Sequence, residues 1–536
     1  MFPCTIGKFP AVDAEVLIVG AGPTGLMLAN QLGRRGVRTL IIDRHAGPSL
    51  QTRALGVQAR TLEIYAKLGL VDRALELGKV GTGANIWADG RLMAHVPLGE
   101  AGRDVTPYPF ILVLGQDDNE RIMGDKLRDW GLAVQWNTEL AALQQHADRV
   151  TATLKQPDGT SREVTAAWVA GCDGAHSAVR ELNHIEYRGA PYQHVFFVAD
   201  TECTGSMVAD QVNAYLWRSG FHLFFPMRGK DHWRLVGILP PDLRNKDDVT
   251  FDDVIPSLRG EAGSGLSFSA CTWFSTYRIS HRSAARFRDR RCFLLGDAAH
   301  IHSPVGAQGM NTGLQDAYNL AWKLALVTAD KADSALLDSY EDERLPVAQR
   351  LLDTTDRAFR IVVSDSRVAG LLRTKVVARI ASVAMRVESI QKTAFGIISQ
   401  TAIHYRESPL SESADRLPSG APQAGDRFPW LKVKLAPTGA VEDLFEALDD
   451  TRFNLLVIGQ PAPPADALEA AGLLRLHAIP VDSANQAALA RAGIAAPSHY
   501  LLRPDGHVGL CGIRVDVATI MRYLAERLDL LEAART

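Results

Sequence analysis

Hydrophobic and polar positions alternate along this chain in patterns that predict a parallel sheet first and antiparallel strands later. The stretch AEVLIVGAGPTGLMLANQLGRRGVRTLIIDR (14–44) reads as a buried strand, a glycine turn, a helix and a second buried strand. Such a βαβ unit implies a parallel sheet with both faces covered. Residues 62–77 have a helical pattern, and residues 148–170 alternate like antiparallel strands around the turn PDGT (157–160).

A second, mostly antiparallel sheet is predicted between residues 195 and 278. The segments VFFVAD, VNAYLW, HLFFPM and WRLVGIL are short, rich in aromatic and β-branched residues, and separated by turn residues. A helical pattern returns at 311–328 and continues to about residue 400. The Pro/Gly/Ser-rich segment 408–429 is predicted to be a linker, followed by a small α/β unit. The fold class is therefore α/β, with about three units in the chain.

Composition and charge exclude several classes of function. The chain is 46% hydrophobic and 22% charged with a net charge of −3, which leaves no basic footprint for nucleic acid. No apolar run approaches the roughly 20 residues that span a bilayer, and the first dozen residues lack the pattern of a signal peptide. The six cysteines are scattered, without a CxxC pair or metal-ligand spacing. We therefore expect a cytoplasmic protein with reduced thiols, no bound metal and no stable membrane insertion.

The glycine turn of the βαβ unit has the pattern of a dinucleotide-binding loop. Gly20, Gly22 and Gly25 form G-x-G-x-x-G between a strand and a helix. The first glycine permits the tight turn, the second lets the backbone approach a diphosphate, and the third lets helix and strand pack closely. Asp43 ends the second strand, where a carboxylate can accept hydrogen bonds from an adenosine ribose. These features together disfavour a turn without a ligand, but they do not separate FAD from NAD.

Two later motifs, GCDGAHSAVR (171–180) and RCFLLGDAAH (291–300), favour FAD. With them the sequence resembles the aromatic hydroxylases of the FAD-dependent monooxygenase family, the group that contains p-hydroxybenzoate hydroxylase and phenol hydroxylase. The resemblance covers nearly the whole chain, with the three motifs in the family's order. It implies a Rossmann-type FAD-binding domain, an inserted antiparallel-sheet substrate domain and a C-terminal thioredoxin-like domain. The implied boundaries are 11–78, 106–190 and 277–400 for the first domain, 79–105 and 191–276 for the second, and 430–536 for the third.

The resemblance also implies cofactor contacts, residue by residue. Asp297 would hydrogen-bond the ribityl chain of FAD, and Asp173 would contact the diphosphate and the path of the nicotinamide donor, with Arg180 as the basic end of its motif. A reduced flavin is negatively charged at its pyrimidine edge, which the start of the helix near residue 309 would favour. The expected cofactor contacts are Gly20, Gly22, Pro23, Thr24, Gly25, Asp43, Arg44, Arg53, Gln116, Asp173, Asp297, Pro304, Gly309, Met310 and Asn311.

In this family the second sheet holds the substrate against the flavin, so it carries the candidates for catalysis. Its aromatic residues suit a planar apolar substrate, but they also suit a sheet core, and alternation turns about half of them away from any pocket. A phenolate reacts better than a phenol, so a cation or base beside the hydroxyl would help. Arg234 and His222 are the candidates for that role and Tyr215 for a hydrogen-bond relay, although each is at least as well explained as a structural residue. His300 and His302 are interpreted as packing residues.

The C-terminal unit and one basic segment are predicted to be structural. Residues 430–536 contain a single cysteine, Cys511, whereas thioredoxin exchange needs a CxxC pair. We interpret this unit as structural or as a subunit contact in a homodimer. The segment 367–387 is predicted to be a basic amphipathic helix, which more often packs on protein than on a membrane.

The function implied by the resemblance is hydroxylation of a small phenolic or aromatic substrate with O2 and NADPH or NADH, through a flavin C4a-hydroperoxide. The sequence has no second glycine fingerprint, which matches a family whose nicotinamide donor binds transiently. Two alternatives stay open. One is another flavin oxygenation or a halogenation of an aromatic polyketide or antibiotic. The other is a non-catalytic flavoprotein that acts as an interaction module.

Overall fold

The computed structural model describes residues 12–49, 54–88, 90–217, 220–246, 248–261, 265–301, 308–363, 387–435, 439–464, 472–528 and 530. Arg53 and Pro304, both expected to contact the cofactor, lie outside the described residues. So do His302 and nearly all of the basic segment 367–387.

Strands occur from the N-terminal glycine motif to the end of the C-terminal unit. In chain order they are β1 (Ala14–Val19), β2 (Thr39–Ile42), β3 (Gly56–Val57), β4 (Lys79–Gly81), β5 (Ala84–Ala88), β6 (Arg91–Val96), β7 (Ile111–Val113), β8 (Val134–Gln135), β9 (Glu139–Gln145), β10 (Val150–Lys155), β11 (Ser161–Gly171), β12 (Tyr187–Thr204), β13 (Val212–Trp217), β14 (Gly220–Pro226), β15 (His232–Ile238), β16 (Ser267–Ala284), β17 (Arg288–Asp289), β18 (Cys292–Leu294), β19 (His300–Ile301), β20 (Glu412–Ser413), β21 (Lys432–Val433), β22 (Glu442–Asp443), β23 (Phe453–Ile458), β24 (Leu474–Ile479), β25 (Ser498–Leu502) and β26 (Val508–Gly512).

Helices connect the sheets and cover their faces. They are α1 (Pro23–Gly33), α2 (Ala59–Leu68), α3 (Val71–Leu77), α4 (Leu98–Ala101), α5 (Gln116–Lys126), α6 (Ala178–Leu182), α7 (Phe251–Glu261), α8 (Gly309–Thr328), α9 (Ser339–Val363), α10 (Glu388–Ile398), α11 (Leu444–Ala447), α12 (Ser483–Arg491) and α13 (Val517–Glu526). Within the described ranges, none is long and apolar enough to cross a membrane.

The first sheet is parallel at its centre, as the βαβ pattern predicts. β1 pairs in parallel with β2 and with β11, and β18 extends the sheet in parallel beyond β11. Val16, Leu17 and Ile18 of β1 are fully buried, as expected for a strand with both faces covered. β10 and β11 form the predicted antiparallel pair.

The helix predicted over 62–77 is two helices. α2 ends at Leu68, and Gly69 follows it in the left-handed region with φ +69°. Glycine adopts this conformation without the steric penalty of a Cβ and commonly ends a helix. A new helix, α3, therefore starts at Val71.

The second sheet has the strand order β19-β16-β12-β15-β14-β13-β5-β6. All neighbouring strands are antiparallel except β13 and β5, so the mostly antiparallel sheet predicted between 195 and 278 is confirmed. β5 and β6 come from an earlier segment, and β19 comes from the loop before α8. The sheet therefore reaches the segment that is expected to surround the flavin.

The C-terminal unit shares a hydrophobic core with the first part of the chain. Its sheet has the order β20-β26-β25-β23-β24. Phe453 of β23 belongs to the same buried cluster as Trp322 of α8, and their ring centroids are 5.8 Å apart. The unit is thus packed against α8 by an apolar contact rather than appended on a tether.

The segment 408–429 is not the open linker that its composition predicts. β20 pairs with β26 of the C-terminal sheet, and Leu410, Leu417 and Phe428 are buried. These apolar residues are widely spaced among turn-forming residues. The composition of the segment therefore predicts a linker, although the segment packs on the protein.

We expect Phe453→Ala to lower the free energy of unfolding by about 3–5 kcal/mol, because it opens a cavity in a core shared by both parts of the chain. Urea unfolding followed by fluorescence and circular dichroism should show one transition that shifts as a whole. Val441→Ala is the control, since Val441 is 50% exposed and should leave the midpoint unchanged. A separate early transition of the C-terminal unit would contradict the shared core.

Candidate active site

The glycine turn after β1 contains two glycines that permit packing and one that faces open space. A Cβ on Gly20 would lie 2.4 Å from the carbonyl oxygen of Cys172, and a Cβ on Gly25 would lie 1.9 Å from the carbonyl oxygen of Gly20. Around the Cβ position of Gly22, by contrast, there is no described atom within 4 Å. Gly22 therefore leaves room for a ligand against the backbone.

Pro23 and Thr24 begin α1, and Thr24 packs against Gly296 of the motif 291–300, whose Gly296-Asp297 turn is called the GD turn. Proline suits the first turn of a helix because its missing N–H has no partner there anyway. A Cβ on Gly296 or on Gly313 would lie 2.6 or 2.4 Å from the Thr24 hydroxyl oxygen. The GD turn and α8 therefore approach α1 at a point where neither carries a side chain.

Asp43 connects the end of β2 to the glycine turn. Its Oδ2 accepts a hydrogen bond from the backbone N–H of Ala21 (2.7 Å), and its Oδ1 accepts one from that of His45 (2.8 Å). Arg44 is exposed beside it. The carboxylate thus lies next to the loop, as the dinucleotide-binding pattern requires.

A cleft of about 630 Å³ runs past these residues. Its volume lies within the range of about 300–1,000 Å³ that is common for ligand sites. The walls come from the glycine turn, the segment 43–49, the start of α5, residues 136–140 and the motif 171–180 that contains Asp173-Gly174. The predicted contacts that line it are Gly20, Gly22, Asp43, Arg44, Gln116 and Asp173.

Glu120 is a buried acid of this cleft that no motif indicates. Its Oε1 accepts a hydrogen bond from the side-chain amide of Gln116, and its Oε2 accepts one from the backbone N–H of Ser49, both at 2.8 Å. Burial raises the pKa of Glu120. The acid fixes Gln116 and the segment 43–49 relative to each other. Glu120 lies four residues after Gln116, on the same helix face, and this spacing is the sequence signal that could have identified it.

Asp173 brings an unused acceptor to the cleft. Its Oδ2 accepts a hydrogen bond from the backbone N–H of Val179 (3.2 Å). Its Oδ1 is buried and has no hydrogen-bond partner among the described residues, and burial raises the pKa of the carboxyl group. Since an unsatisfied buried acceptor is destabilising, this oxygen fits a hydroxyl or N–H group of a ligand.

Arg180 binds the backbone of both later motifs. Its guanidinium donates to the carbonyl oxygens of Ala298 (3.0 Å) and Ala175 (2.8 Å) and lies 3.9 Å from the ring centroid of Tyr187. The Tyr187 hydroxyl donates to the backbone carbonyl oxygen of Asp297 (2.9 Å). The GD turn is therefore held through its backbone, with the Asp297 side chain exposed.

Asp316 of α8 holds both ends of the segment that contains Asp297. Its Oδ2 accepts from the backbone N–H of Gly296 (3.0 Å) and contacts Nε2 of His300 (2.8 Å), and its Oδ1 pairs with Nε of Arg344 (2.6 Å). Burial alone would raise its pKa, but Arg344 and His300 lower the pKa of Asp316 to about 2. His300 is engaged in this network, consistent with a packing role.

The first turn of α8 is anchored by the side chain of Asn311. Its oxygen accepts hydrogen bonds from the backbone N–H of Gln58 (3.0 Å) and from the hydroxyl of Thr61 (2.7 Å). Gly309 and Met310 open the helix just before it. Because the N–H groups of a first helical turn have no acceptor within the helix, a ligand at this point would meet the backbone of Gly309 and Met310.

The outer face of the second sheet is closed by α7. Phe197, Phe224 and Leu235 are buried on this face in one cluster with Val254 and Leu258 of α7. Side chains of neighbouring residues in a strand point to opposite faces. The residues between them therefore form the other, inner face.

The inner face is turned toward the start of α8. Val198 and Val236 of this face cluster with Leu55. Leu55 precedes Gly56, whose carbonyl oxygen accepts a hydrogen bond from the side-chain amide of Asn311 (2.7 Å). The inner face and the first turn of α8 thus contact the same short segment.

The structure places His222 and Tyr215 on the outer face, away from the inner one. The two residues pair across β13 and β14. Tyr215 stacks on Trp87 with ring centroids 5.4 Å apart, and His222 stacks on Trp217 at 5.2 Å. Neither ring nitrogen of His222 has a hydrogen-bond partner in the described part of the chain, and burial lowers its pKa to about 3. Tyr215 belongs to the buried cluster under α7, and His222 lies against Phe197 of that cluster, with ring centroids 5.8 Å apart. Both side chains are therefore on the face that α7 covers.

Arg234 is the one of the three catalytic candidates that lies on the inner face. It pairs with Asp200 through two hydrogen bonds from its guanidinium. The guanidinium carbon is 5.2 Å from the centroid of the Trp273 ring. The arginine is therefore held rigidly by a carboxylate and an aromatic ring.

These residues fit the FAD that the resemblance implies. The space over Gly22 suits a diphosphate against the backbone, the unpartnered oxygen of Asp173 suits a hydroxyl donor, and the cleft connects the two. No group of three or more His, Cys, Asp or Glu side chains is arranged to hold a metal ion in the ranges that the structure describes.

Comparison with known proteins agrees with this assignment. A protein-family model described as an FAD binding domain matches residues 13–355. The chain is 34% identical to 6-methylpretetramide 4-monooxygenase of Streptomyces rimosus, over 96% of this chain and 94% of that one. It is 32% identical to pentachlorophenol 4-monooxygenase of Sphingobium chlorophenolicum, over 86% and 82%. The structure of aklavinone-11 hydroxylase with FAD and aklavinone has a TM-score of 0.78 and 26% identity, over 97% of this chain and 100% of that one.

We expect Gly22→Ala to weaken FAD binding about tenfold or more, because the added methyl group would occupy the space over the loop. Gly22 has φ −71°, which alanine adopts without strain, so urea unfolding of the apoprotein should change little. FAD titration by fluorescence quenching gives the affinity. Gly124→Ala in α5, whose Cβ also meets no described atom within 4 Å, is the control and should bind FAD normally. Unchanged affinity in Gly22→Ala would contradict a diphosphate over this loop.

Proposed function

Because the chain belongs to the family of FAD-dependent aromatic monooxygenases, we propose that it oxygenates an aromatic substrate of several rings on the inner face of its second sheet. The observation that supports this most is the contrast between the two faces of that sheet. The outer face is covered by α7, whereas on the inner face Leu216, Leu223 and Tyr277 stay half-buried and pack against the buried residues Phe196, Phe221 and Ile238. A partly exposed apolar surface of this kind suits a planar substrate.

The width of this wall favours a substrate larger than a single ring. The inner face extends over β16, β12, β15, β14 and β13, which is four strand spacings or about 19 Å. Tyr277 provides half-buried aromatic surface on it and packs on the buried ring of Phe196, with ring centroids 5.9 Å apart. The relatives named for 6-methylpretetramide and aklavinone support the same size class, and the relative named for pentachlorophenol supports a phenolic group.

The cleft and the start of α8 would hold the two ends of FAD. The glycine turn would meet the diphosphate and Asp43 and Arg44 the adenosine, while Gln116 and Asp173 would contact the middle of the molecule. Asp297 and the backbone from Gly309 to Asn311 would hold the isoalloxazine end. The chemistry supplied by bound FAD is acceptance of a hydride from NADPH or NADH and activation of O2.

The residues of the inner face orient the substrate and exclude water. Half-buried apolar side chains lose their contact with water when a flat substrate covers them, which favours binding and keeps the reacting atoms dry. Arg234 is the cation of this face, fixed by Asp200. A positive charge near a substrate hydroxyl would favour its phenolate form.

The C-terminal unit would have a thioredoxin-like architecture without thioredoxin chemistry. β23 and β24 are parallel, β25 is antiparallel to both β23 and β26, and α13 follows. Cys511 is buried, and burial raises its pKa, the opposite of what a reactive thiol needs. A cytoplasmic location, expected from the scattered cysteines, and a homodimer both stay predictions.

The purified protein should be yellow and should oxidise NADPH or NADH faster when a phenolic compound is added. We expect fused-ring phenols to stimulate more than single-ring phenols and to yield a product one oxygen atom heavier by mass spectrometry. Consumption of NAD(P)H that gives only H2O2 with every ring compound would contradict the hydroxylase assignment. A chlorinated product that requires halide would favour halogenation instead.

Two neighbouring residues of β14 test which face binds the substrate. Leu223→Trp should lower kcat/KM about tenfold or more for the largest substrate, because the indole would fill the half-open inner face. His222→Phe is the matched control on the outer face: its ring is already neutral and lies among aromatic side chains, so kinetics and their pH profile should not change. The reverse pattern would place the substrate on the other side of the sheet.

A further inference from the structure

The turn between β25 and β26 is buried deeply against the cofactor-binding part of the chain. Arg503 forms a two-pronged ion pair with Glu343 of α9 and also binds Asp505 of its own turn. The hydroxyl of Tyr318 donates to the carbonyl oxygen of Pro504 (3.2 Å). The turn therefore reaches both α8 and α9, although it belongs to the C-terminal unit.

Glu343 is the point at which this turn meets α8. Its carboxylate accepts hydrogen bonds from Lys323 (2.8 Å) and Asn319 (2.6 Å) of α8 as well as from Arg503. The side chains of Glu343, Lys323 and Arg503 are all fully buried. Burial alone would raise the pKa of Glu343, but Arg503 and Lys323 lower it to about 2. The carboxylate is therefore ionised and depends on both cations.

The next residue of α9 continues the contacts to the GD turn. Arg344 pairs with Asp316 (2.6 Å) and donates to the carbonyl oxygen of Thr312 (3.1 Å), in the first turn of α8. Asp316 in turn binds the backbone N–H of Gly296 and the ring of His300. A series of buried ionic contacts thus runs from the C-terminal turn to the segment that carries Asp297.

Stability alone does not explain this arrangement. Replacing a buried ion pair by apolar residues of similar volume is often neutral or stabilising, whereas removing one partner is strongly destabilising. Buried ions do fix relative positions, because each ion needs its partner at hydrogen-bonding distance. The series ends at the two places expected to hold the isoalloxazine end of FAD, the GD turn and the first turn of α8.

We propose that Arg503 is a positioning residue for the cofactor, which acts through Glu343, Arg344 and Asp316 to fix the GD turn and the first turn of α8. This inference rests on the proposed cofactor site. It gives the C-terminal unit a role in holding FAD, without any contact to FAD itself.

A double-mutant cycle on FAD affinity tests the proposal. Arg503→Met and Asp316→Asn, two residues not in contact with each other, are made singly and together, and FAD binding to each apoprotein is titrated well below its unfolding midpoint. We expect each single variant to weaken FAD binding about tenfold. In the double variant the loss of affinity should be several-fold smaller than the product of the two single losses, as coupled sites require. Arg522→Gln breaks the exposed pair with Glu412 in the same unit and should leave FAD affinity unchanged.

Three results would overturn the proposal: unchanged FAD affinity in Arg503→Met despite reduced stability, strictly multiplicative effects in the double variant, or an equal effect of Arg522→Gln. Should Arg503→Met not fold, Arg503→Lys keeps the charge but cannot form the two-pronged pair. An intermediate loss of FAD affinity in Arg503→Lys would support the proposal, and wild-type affinity would overturn it. Affinity is measured without substrate or NAD(P)H, so a failed search for an oxygenated product does not affect this test.

Discussion

Two adjacent residues of α9 with opposite charges, Glu343 and Arg344, hold the parts of this molecule together. Glu343 binds Lys323 of α8 and Arg503 of the C-terminal unit, and Arg344 binds Asp316 of α8. Transferring an ion into the interior costs several kcal/mol, which is recovered only when its partners are in place. The helix α8, the loop before it and the C-terminal unit must therefore assemble as one body.

The proposed site has a rigid half for the cofactor and a partly exposed half for the substrate. The cofactor half is built from backbone held at fixed points: the glycine turn by Asp43, the GD turn by Asp316 and Tyr187, and the start of α8 by Asn311. The proposed substrate half is a sheet face on which the apolar side chains of Leu216, Leu223 and Tyr277 are half-buried. A cofactor needs fixed donors and acceptors, whereas a ring system needs mainly a flat surface from which water can be displaced.

The fold was predictable from the sequence where its signals are local. The strand, glycine turn and helix around Gly20, and the alternation that produces the second sheet, both depend on residues a few positions apart. The orientation of that sheet was not predictable, because alternation gives a period of two without saying which face is covered. Tyr215 and His222 lie on the face that α7 covers, and the residues of α7 lie about 30–45 positions later, so no local pattern could distinguish them from the residues beside them.

The ionic contacts were not predicted because their partners are far apart in the chain. The sequence of α8 does, however, contain one sign of them. In GLQDAYNLAWKLALVT the charged residues Asp316 and Lys323 are seven positions apart, so they lie two turns apart on one face of an otherwise mostly apolar helix. A helix that is buried all round cannot leave such charges unpaired. The next helical segment supplies the two partners: Glu343 pairs with Lys323, and the adjacent Arg344 pairs with Asp316. Charged residues at helical spacing inside a buried helix therefore predict a matching pair on the helix that packs against it, although they do not predict that a distant hairpin completes the set.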